Sequence, residues 1–313
     1  MTRVLITGIA GFVGTHLVRY LLANGDRLSG FDRIRPASLP LEIGFYPGDI
    51  RDRDAVKQVM LEVRPDIVYH LAGALKATNP EELYTVNVLG TVALFEAIFE
   101  AGLKPTVLVT SSSAVYGQGS ARRRVTEKSA LRPVTHYGVS KIAQEVVALR
   151  YHRAQQLPVM CTRAFNFIGP AQPPQLACSA FARQIALAEH TRSTDTIVTG
   201  NLRACRDFVD VRDGVRAFAL VARLGKPGSV YNICSGKAVT IRHCLNLLLQ
   251  MSDLPLKTQV DLDRVQADDV PAQIGSAARL YRQSRWKPAI GLRQSLADLL
   301  DYWRTEARSQ TVG

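Results

Sequence analysis

Tyr137 and Lys141 stand four residues apart in "HYGVSK", and the upstream run "VLVTSSSAVYG" carries three consecutive serines, Ser111, Ser112 and Ser113. A tyrosine and a lysine at that spacing share one face of a helix. A phenol with an ordinary pKa of about 10 is a poor base at neutral pH. An ammonium one turn away favours the phenolate and lowers that pKa. Such a tyrosine exchanges a proton with a hydroxyl or carbonyl oxygen, and a serine at the end of the adjacent strand steadies the same oxygen. The chemistry is that of an alcohol and its ketone, whether reduction, epimerisation or dehydration. Spacing alone does not choose among the three serines, and Tyr-x-x-x-Lys by itself also describes an exposed helix pair.

Positioning these groups requires a strand that ends in the serines and a helix that starts at the tyrosine. The sequence supplies both within a regular alternation. "RVLITG", "RLSGFD", "GFYPGD", "DIVYHLAG", "TVLVTSSS" and "PVMCTRAF" read as strands. "FVGTHLVRYLLANG", "DAVKQVMLEV", "LYTVNVLGTVALFEAIFEAG" and "YGVSKIAQEVVALRYHRAQ" carry apolar residues at helical spacing between them. Continuous apolar strands separated by helices pair in parallel through right-handed crossovers, so a doubly wound α/β sheet is expected. After Phe165 the rhythm breaks at "NFIGPAQPPQ", a loop leaving the sheet. Helices are expected near 178–190, 212–224, 240–251 and 292–307, with short strands near 196–199 and 229–233. We therefore expect a Rossmann-type domain over 1–165 plus about 205–228, and a smaller C-terminal α/β substrate lobe over 166–204 and 229–313.

"GIAGFVG" places Gly8, Gly11 and Gly14 between the first strand and the first helix, with Asp32 closing the second strand. In that context glycines serve a tight turn, the approach of a pyrophosphate and close helix packing, and helix-start N–H groups face the phosphates. Asp32 would accept bonds from ribose hydroxyls and repel a 2′-phosphate, which favours NAD over NADP. Arg33 and Arg35 could meet that phosphate instead. Asp49 in "GDI" is placed to reach the adenine.

Composition narrows the classes. Lys plus Arg total 39 against 27 Asp plus Glu, a formal charge of +12, but the basic residues are dispersed apart from Arg122, Arg123 and Arg124. No basic block alternates with aromatics, so nucleic-acid binding is not expected. Cys161, Cys178, Cys205, Cys234 and Cys244 are odd in number and widely spaced, suiting neither a disulfide framework nor a zinc site. No metal is expected. The chain enters a strand at "MTRVLITG", without a leader pattern, and no apolar run approaches the ~20 residues of a membrane span. A cytoplasmic protein without membrane association is expected.

The glycine motif, Asp32, "HLAG", Asn87 in "VNVLGT", "SSSAVYG" and "YGVSK" together resemble the extended short-chain dehydrogenase/reductase superfamily, whose members mostly act on nucleotide sugars. The resemblance implies a catalytic serine five residues before Gly117, which selects Ser112 with Tyr137 and Lys141. It extends the cofactor-binding set of Gly8, Gly11, Gly14, Asp32 and Asp49 to Phe12, Val13, Arg33, Ile50, Leu71, Ala72, Gly73 and Asn87. Tyr137 and Lys141 belong to that set too, the lysine holding the nicotinamide ribose. It also implies a homodimer that packs the helices near 80–101 and 137–156 into a four-helix bundle.

Related 4,6-dehydratases carry an acidic residue two positions after the catalytic serine or threonine, where this chain has Ala114. An alanine transfers no proton, which leaves a reductase or a 4-epimerase with tightly held NAD. A non-catalytic dinucleotide-binding protein is disfavoured because the tyrosine and lysine are both kept. "RAFNFIGPAQ", "TGNLRACRDFVDVRD", "VYNICSGKAVTIR", "ADDVPAQIG" and "WKPAIGLRQSL" resemble GDP-4-dehydro-6-deoxy-D-mannose reductases over essentially the whole chain. By that resemblance Ser112, Ser113, Asn166, Arg206 and Arg264 contact a sugar nucleotide, with NADH or NADPH as reductant. The chain departs from those reductases at His136, Ala171, Arg203 and Gln266.

Overall fold

The apolar runs that mark strands in the first half of the sequence all enter one sheet. The computed structural model describes residues 1–119, 123–193, 196–264 and 270–309. β1 (Arg3–Thr7) leads through the glycine loop into α1 (Phe12–Ala23) and returns as β2 (Arg27–Asp32). β3 (Gly44–Pro47), α2 (Arg53–Val63) and β4 (Ile67–His70) follow. Next come α3 (Pro80–Tyr84), a π turn over Thr85–Leu89, α4 (Gly90–Glu100), and β5 (Thr106–Ser112). α5 (His136–Gln155) and β6 (Val159–Ala164) complete the regular half. Val4, Leu5 and Ile6 are essentially inaccessible, as are Val107 to Val109 and Val159 to Cys161. Strands covered on both faces bury every position in this way.

β7 (Asn166–Ile168), α6 (Ala177–Thr191), β8 (Thr196–Thr199), β9 (Cys205–Arg206) and β10 (Phe208–Asp210) come next. The chain continues through α7 (Val211–Leu224), β11 (Val230–Ile233), β12 (Val239–Thr240) and α8 (Ile241–Leu249). It closes with β13 (Lys257–Val260), α9 (Ala278–Ser284) and α10 (Leu292–Ser309). The seven-stranded sheet runs β11-β6-β5-β4-β1-β2-β3, every pairing parallel. The strand order reverses between β1 and β4, and in such sheets ligands lie beyond the carboxyl ends of the strands at that crevice.

One expected boundary is corrected. Residues 230–233 do not belong to the lobe: β11 pairs with β6 from Val230↔Cys161 to Ile233↔Ala164 and forms the edge of the large sheet. The chain then returns a second time, because Leu280 and Trp286 pack in the same core as α1 and α7. The lobe itself has a separate core of α6, α8 and α10, with Phe181, Leu245, Leu299 and Trp303 at its centre. The π turn, α3 and α4 form one continuous helix over Pro80–Glu100, 21 residues long and apolar enough to match a membrane span. Half of it is buried inside the protein, and Leu94, Phe95, Ala97 and Ile98 pack on the sheet, so it is a core helix.

Candidate active site

β5 ends at Ser112, whose Oγ accepts from the Ala114 N–H at 3.1 Å and so starts the following 3₁₀ turn. Thr135 caps α5 by accepting from the Gly138 N–H at 3.1 Å, which fixes Tyr137 in the first turn. A methyl group on Gly138 would stand 2.8 Å from the Ala114 carbonyl oxygen, so glycine there lets the helix start approach the strand end. Of the three serines, Ser112 shares a hydrogen bond with Tyr137. Ser111, Ser112, Ser113, Tyr137 and Lys141 all line one cavity of about 790 Å³ between the sheet and the lobe.

Among the protein's own groups, burial dominates the ionisation of the pair. Burial raises the Tyr137 phenol above its ordinary value, and the Ser112 hydrogen bond only partly opposes this. Burial also lowers Lys141 to about 8, opposed by the nearby Glu145 carboxylate. The Lys141 Nζ donates one of its hydrogens to Gln144 Oε1. The side chains of the protein therefore hold Tyr137 as a neutral phenol, an acid ready to give a proton.

At the other end of the cavity, Gly8 takes φ +75°, and a Cβ there would sit 2.6 Å from the Ala72 backbone nitrogen. Gly11 caps α1 with no side-chain bond, leaving first-turn N–H groups without intrahelical partners. A methyl on Gly11 would meet only the Gly8 carbonyl oxygen, at 3.3 Å, so the protein alone does not require glycine there. Phe12, Val13, Leu71 and Gly73 line the cavity. Two buried oxygens of cavity-lining residues, Ser111 Oγ and Gln172 Oε1, have no hydrogen-bond partner among the described residues. The bare helix start and these orphaned atoms fit a dinucleotide and the group bound beside it.

The remaining candidate residues divide by how their polar atoms are used. Asp32 accepts from the Ala10 N–H at 2.9 Å and the Arg33 N–H at 2.8 Å, so it also holds the glycine loop. The Arg33 side chain is exposed beside it, whereas Arg35 is tied to the Pro40 and Ile43 carbonyls and lies over Phe45. Asp49 is gripped by Arg51, which holds its carboxyl below the usual range. Ile50 is buried against Gly90 in the core beside the sheet. Asn87 is wholly buried, accepting from the Ala74 N–H and donating to the Ala74 carbonyl and to Ser140 Oγ. Its amide is spent tying the "HLAG" loop to α5 rather than facing the cavity.

On the lobe side, Asn166 and Arg206 line the cavity. Asn166 Nδ2 donates to the Asp207 carbonyl at 3.1 Å, and Arg206 Nη1 to the carbonyls of Cys205 and Val270. The Asp207 carboxylate accepts from Ser235, Gly236 and Gly275, and that of Asp210 from Arg212 and Ser295. Arg264 ends a short turn over Leu262–Arg264, but its side chain lies outside the described residues, as do Gln266 and Arg122. Arg203 is exposed, and His136 is exposed with its Nδ1 2.9 Å from the Tyr84 hydroxyl. Ala171 takes φ +63°, a left-handed backbone that disfavours any side chain.

Sequence reasoning missed Gln172, whose Nε2 donates to the Phe167 carbonyl while its Oε1 remains free. It also missed Lys76, Asn201 and Asp263 on the cavity wall. Only Gln172 left a trace, as the polar end of "GPAQ".

Residues 4–234 match the model of the NAD dependent epimerase/dehydratase family. The chain is similar to GDP-6-deoxy-D-mannose reductase of Pseudomonas aeruginosa, 33% identical over 98% of this chain and 99% of that protein. It is also similar to dTDP-D-glucose 4,6-dehydratase of Mus musculus, 30% identical over 96% of this chain and 88% of that one. Among solved structures, RMD from Pseudomonas aeruginosa complexed with NADPH superposes with a TM-score of 0.87 at 31% identity, covering 98% of this chain and all of the other. UDP-glucose 4-epimerase of Thermus thermophilus in complex with NAD gives a TM-score of 0.88 at 26% identity, over 96% and 99% of the two chains. With the Rossmann-type sheet, the bare glycine-loop helix and the Ser112–Tyr137 contact in place, the chain belongs to the NAD dependent epimerase/dehydratase family.

Proposed function

We propose that the protein is an NAD(P)H-dependent reductase acting at the C4 ketone of a GDP-4-keto-6-deoxyhexose, converting GDP-4-dehydro-6-deoxy-D-mannose to GDP-D-rhamnose. The observation that carries the choice of reaction is Ala114, which stands beside the Ser112–Tyr137 pair where a dehydratase of this type needs an acid. The full-length likeness to a GDP-6-deoxy-D-mannose reductase supports the choice of substrate.

The glycine loop and the start of α1 take the cofactor pyrophosphate. Asp32 and Arg33 meet the adenosine ribose, so NADH and NADPH are both candidates. When bound, the nicotinamide supplies the hydride. Tyr137, held neutral by burial, donates its phenolic proton to the oxygen that becomes the C4 hydroxyl, and Ser112 donates a hydrogen bond to the same oxygen. An alkoxide is a far stronger base than a phenolate, so a raised tyrosine pKa does not oppose this transfer. Lys141 supplies positive charge behind the tyrosine and binds the ribose. Arg206 and Asn166 hold the substrate diphosphate and sugar from the lobe side, where a guanidinium suits phosphate oxygens.

Leu89 and Phe99 on the long helix and Val139 and Val146 on α5 are exposed large apolar residues, which supports a homodimer through these two helices. Five free cysteines suit a reducing compartment and support a cytoplasmic site of action. Incubation with GDP-4-keto-6-deoxymannose and each cofactor tests the reading: one equivalent of NADPH or NADH is oxidised per sugar reduced. No oxidation with either sinks it. Turnover of a nucleotide sugar with no net change in a retained cofactor assigns a 4-epimerase instead.

A further inference from the structure

Lys141 holds a positive charge at 5% exposure, and the atom in contact with it belongs to an amide. Its Nζ donates to Gln144 Oε1 at 2.5 Å, which fixes the orientation of that amide. Gln144 Nε2 then donates to Thr91 Oγ1 at 2.8 Å. Thr91 sends its own proton to the Asn87 carbonyl oxygen at 2.7 Å, so its Oγ1 can only accept from the other neighbours. His70 Nε2, 2.9 Å from the same oxygen, must therefore carry the ring proton. That leaves Nδ1 bare, and it accepts from the Thr7 hydroxyl at 2.8 Å. By elimination every hydrogen between Lys141 and Thr7 has one place. Thr7, His70, Thr91 and Gln144 are all fully buried. Thr7 is the last residue of β1, directly before Gly8, so this path joins the cofactor loop to the lysine.

We infer that Gln144, held in place by Thr91 and His70, is a positioning residue that aims the Lys141 ammonium at the cofactor and keeps it charged there. The inference rests on the cofactor role given to Lys141 above. A buried ammonium without an acceptor sheds its proton. Gln144 Oε1 takes one of its three N–H bonds and leaves two for the cavity. The other groups facing the lysine differ from Gln144 in how they act on it. Glu145 on α5 supports the charge from a distance, while both its oxygens are bound by Arg163 of β6. His70 on β4 is kept neutral by burial, and the Cys161 thiol on β6 is pushed well above its ordinary range. Tyr137 on α5 is a neutral phenol and Asn87 of the π turn an uncharged amide. Burial still holds Lys141 down to about 8, so the loss of one acceptor is felt close to neutral pH.

The experiment is calorimetric titration of the full chain with NADPH and with NADH between about pH 6 and pH 10, for the natural protein, Gln144→Leu and Gln144→Glu. Affinity in the natural protein falls as Lys141 loses its proton. Gln144→Leu shifts that midpoint down by roughly one pH unit or more, which weakens binding about twofold at pH 7 and about tenfold near pH 9. Gln144→Glu, which places a carboxylate at the same contact, moves the midpoint up. The opposite signs separate positioning from general damage, and the isosteric glutamate variant serves where the leucine variant fails to fold. An alkaline midpoint identical in the natural and substituted proteins overturns the inference alone. If neither cofactor binds the natural chain at any pH, the cofactor reading of Lys141 falls and the inference with it.

Discussion

Replacing Arg163 by methionine strikes the bond that holds the catalytic helix to the sheet. Arg163 Nε and Nη2 grip Glu145 at 2.9 and 2.7 Å. The side chains are 6% and 3% exposed. Its Nη1 also donates to the Tyr116 hydroxyl at 3.0 Å, with the guanidinium 5.0 Å from that ring's centre. Tyr116 passes its own proton to Asn232 Oδ1 on β11. Methionine fills most of the volume but leaves the Glu145 carboxylate buried without the guanidinium that binds both its oxygens, a loss of about 3–5 kcal/mol. An unfolding entropy of about 2.1 cal/mol/K per residue makes roughly 0.66 kcal/mol/K for a chain of this length, so the melting temperature falls by about 5–8 °C. Circular dichroism melts at neutral pH measure this. The double variant Arg163→Met/Glu145→Leu removes the stranded charge, and most of the loss returns. A drop under about 1 °C for the single variant, or a double variant melting no higher than it, refutes the reasoning.

Three further outcomes follow from the same geometry. Tyr137→Phe removes the proton donor and lowers kcat by about 10²–10⁴-fold with little change in NADPH binding, checked by steady-state rates beside calorimetry. Ala171→Gly relieves a side chain at φ +63° and stabilises the protein by about 0.5–1 kcal/mol in urea titrations, after the greater unfolded-state entropy of glycine is subtracted. His70 is lowered by burial to about 3, against 6.5 for the free side chain. Between those values the unfolded chain binds a proton that the folded chain does not, so stability present above pH 6.5 is lost as the pH falls toward 3. The slope of melting temperature against pH in that interval flattens in His70→Asn.

The fold and the reacting residues were legible to different depths. The alternation of buried strands and amphipathic helices reports local burial, so β1 to β6 and the doubly wound sheet could be read from it. β11 could not. "VYNI" is short, and its place beside β6 depends on a pairing across about seventy residues that periodicity does not encode. The same holds for Trp286, which leaves the lobe to pack near α7 and donates to the Asp213 carbonyl. In the site, motif spacing singled out Tyr137, Lys141 and the run of three serines, because a strand end and a helix start fix where such side chains lie, and the family resemblance chose Ser112. The spacing weighed a charge one turn away from the tyrosine but not burial, which dominates among the protein's own groups. The path from Thr7 through His70, Thr91 and Gln144 was invisible because its members lie on four separate elements. Asn87 was noticed in "VNVLGT", but its π turn and its inward-facing amide were not.

The central claim is that Tyr137 and Ser112 serve hydride addition to C4 of a GDP-linked 4-keto sugar. The most direct test uses NADPH or NADH carrying deuterium on the transferable position of the nicotinamide, with GDP-4-keto-6-deoxymannose as acceptor and proton NMR of the product. The account predicts one deuterium at C4 of a GDP-6-deoxyhexose for each cofactor oxidised, with Tyr137→Phe slowing its appearance at least a hundredfold, the lower end of the usual range for a lost general acid. A sugar left unreduced, or deuterium retained on the cofactor while the sugar turns over, contradicts it.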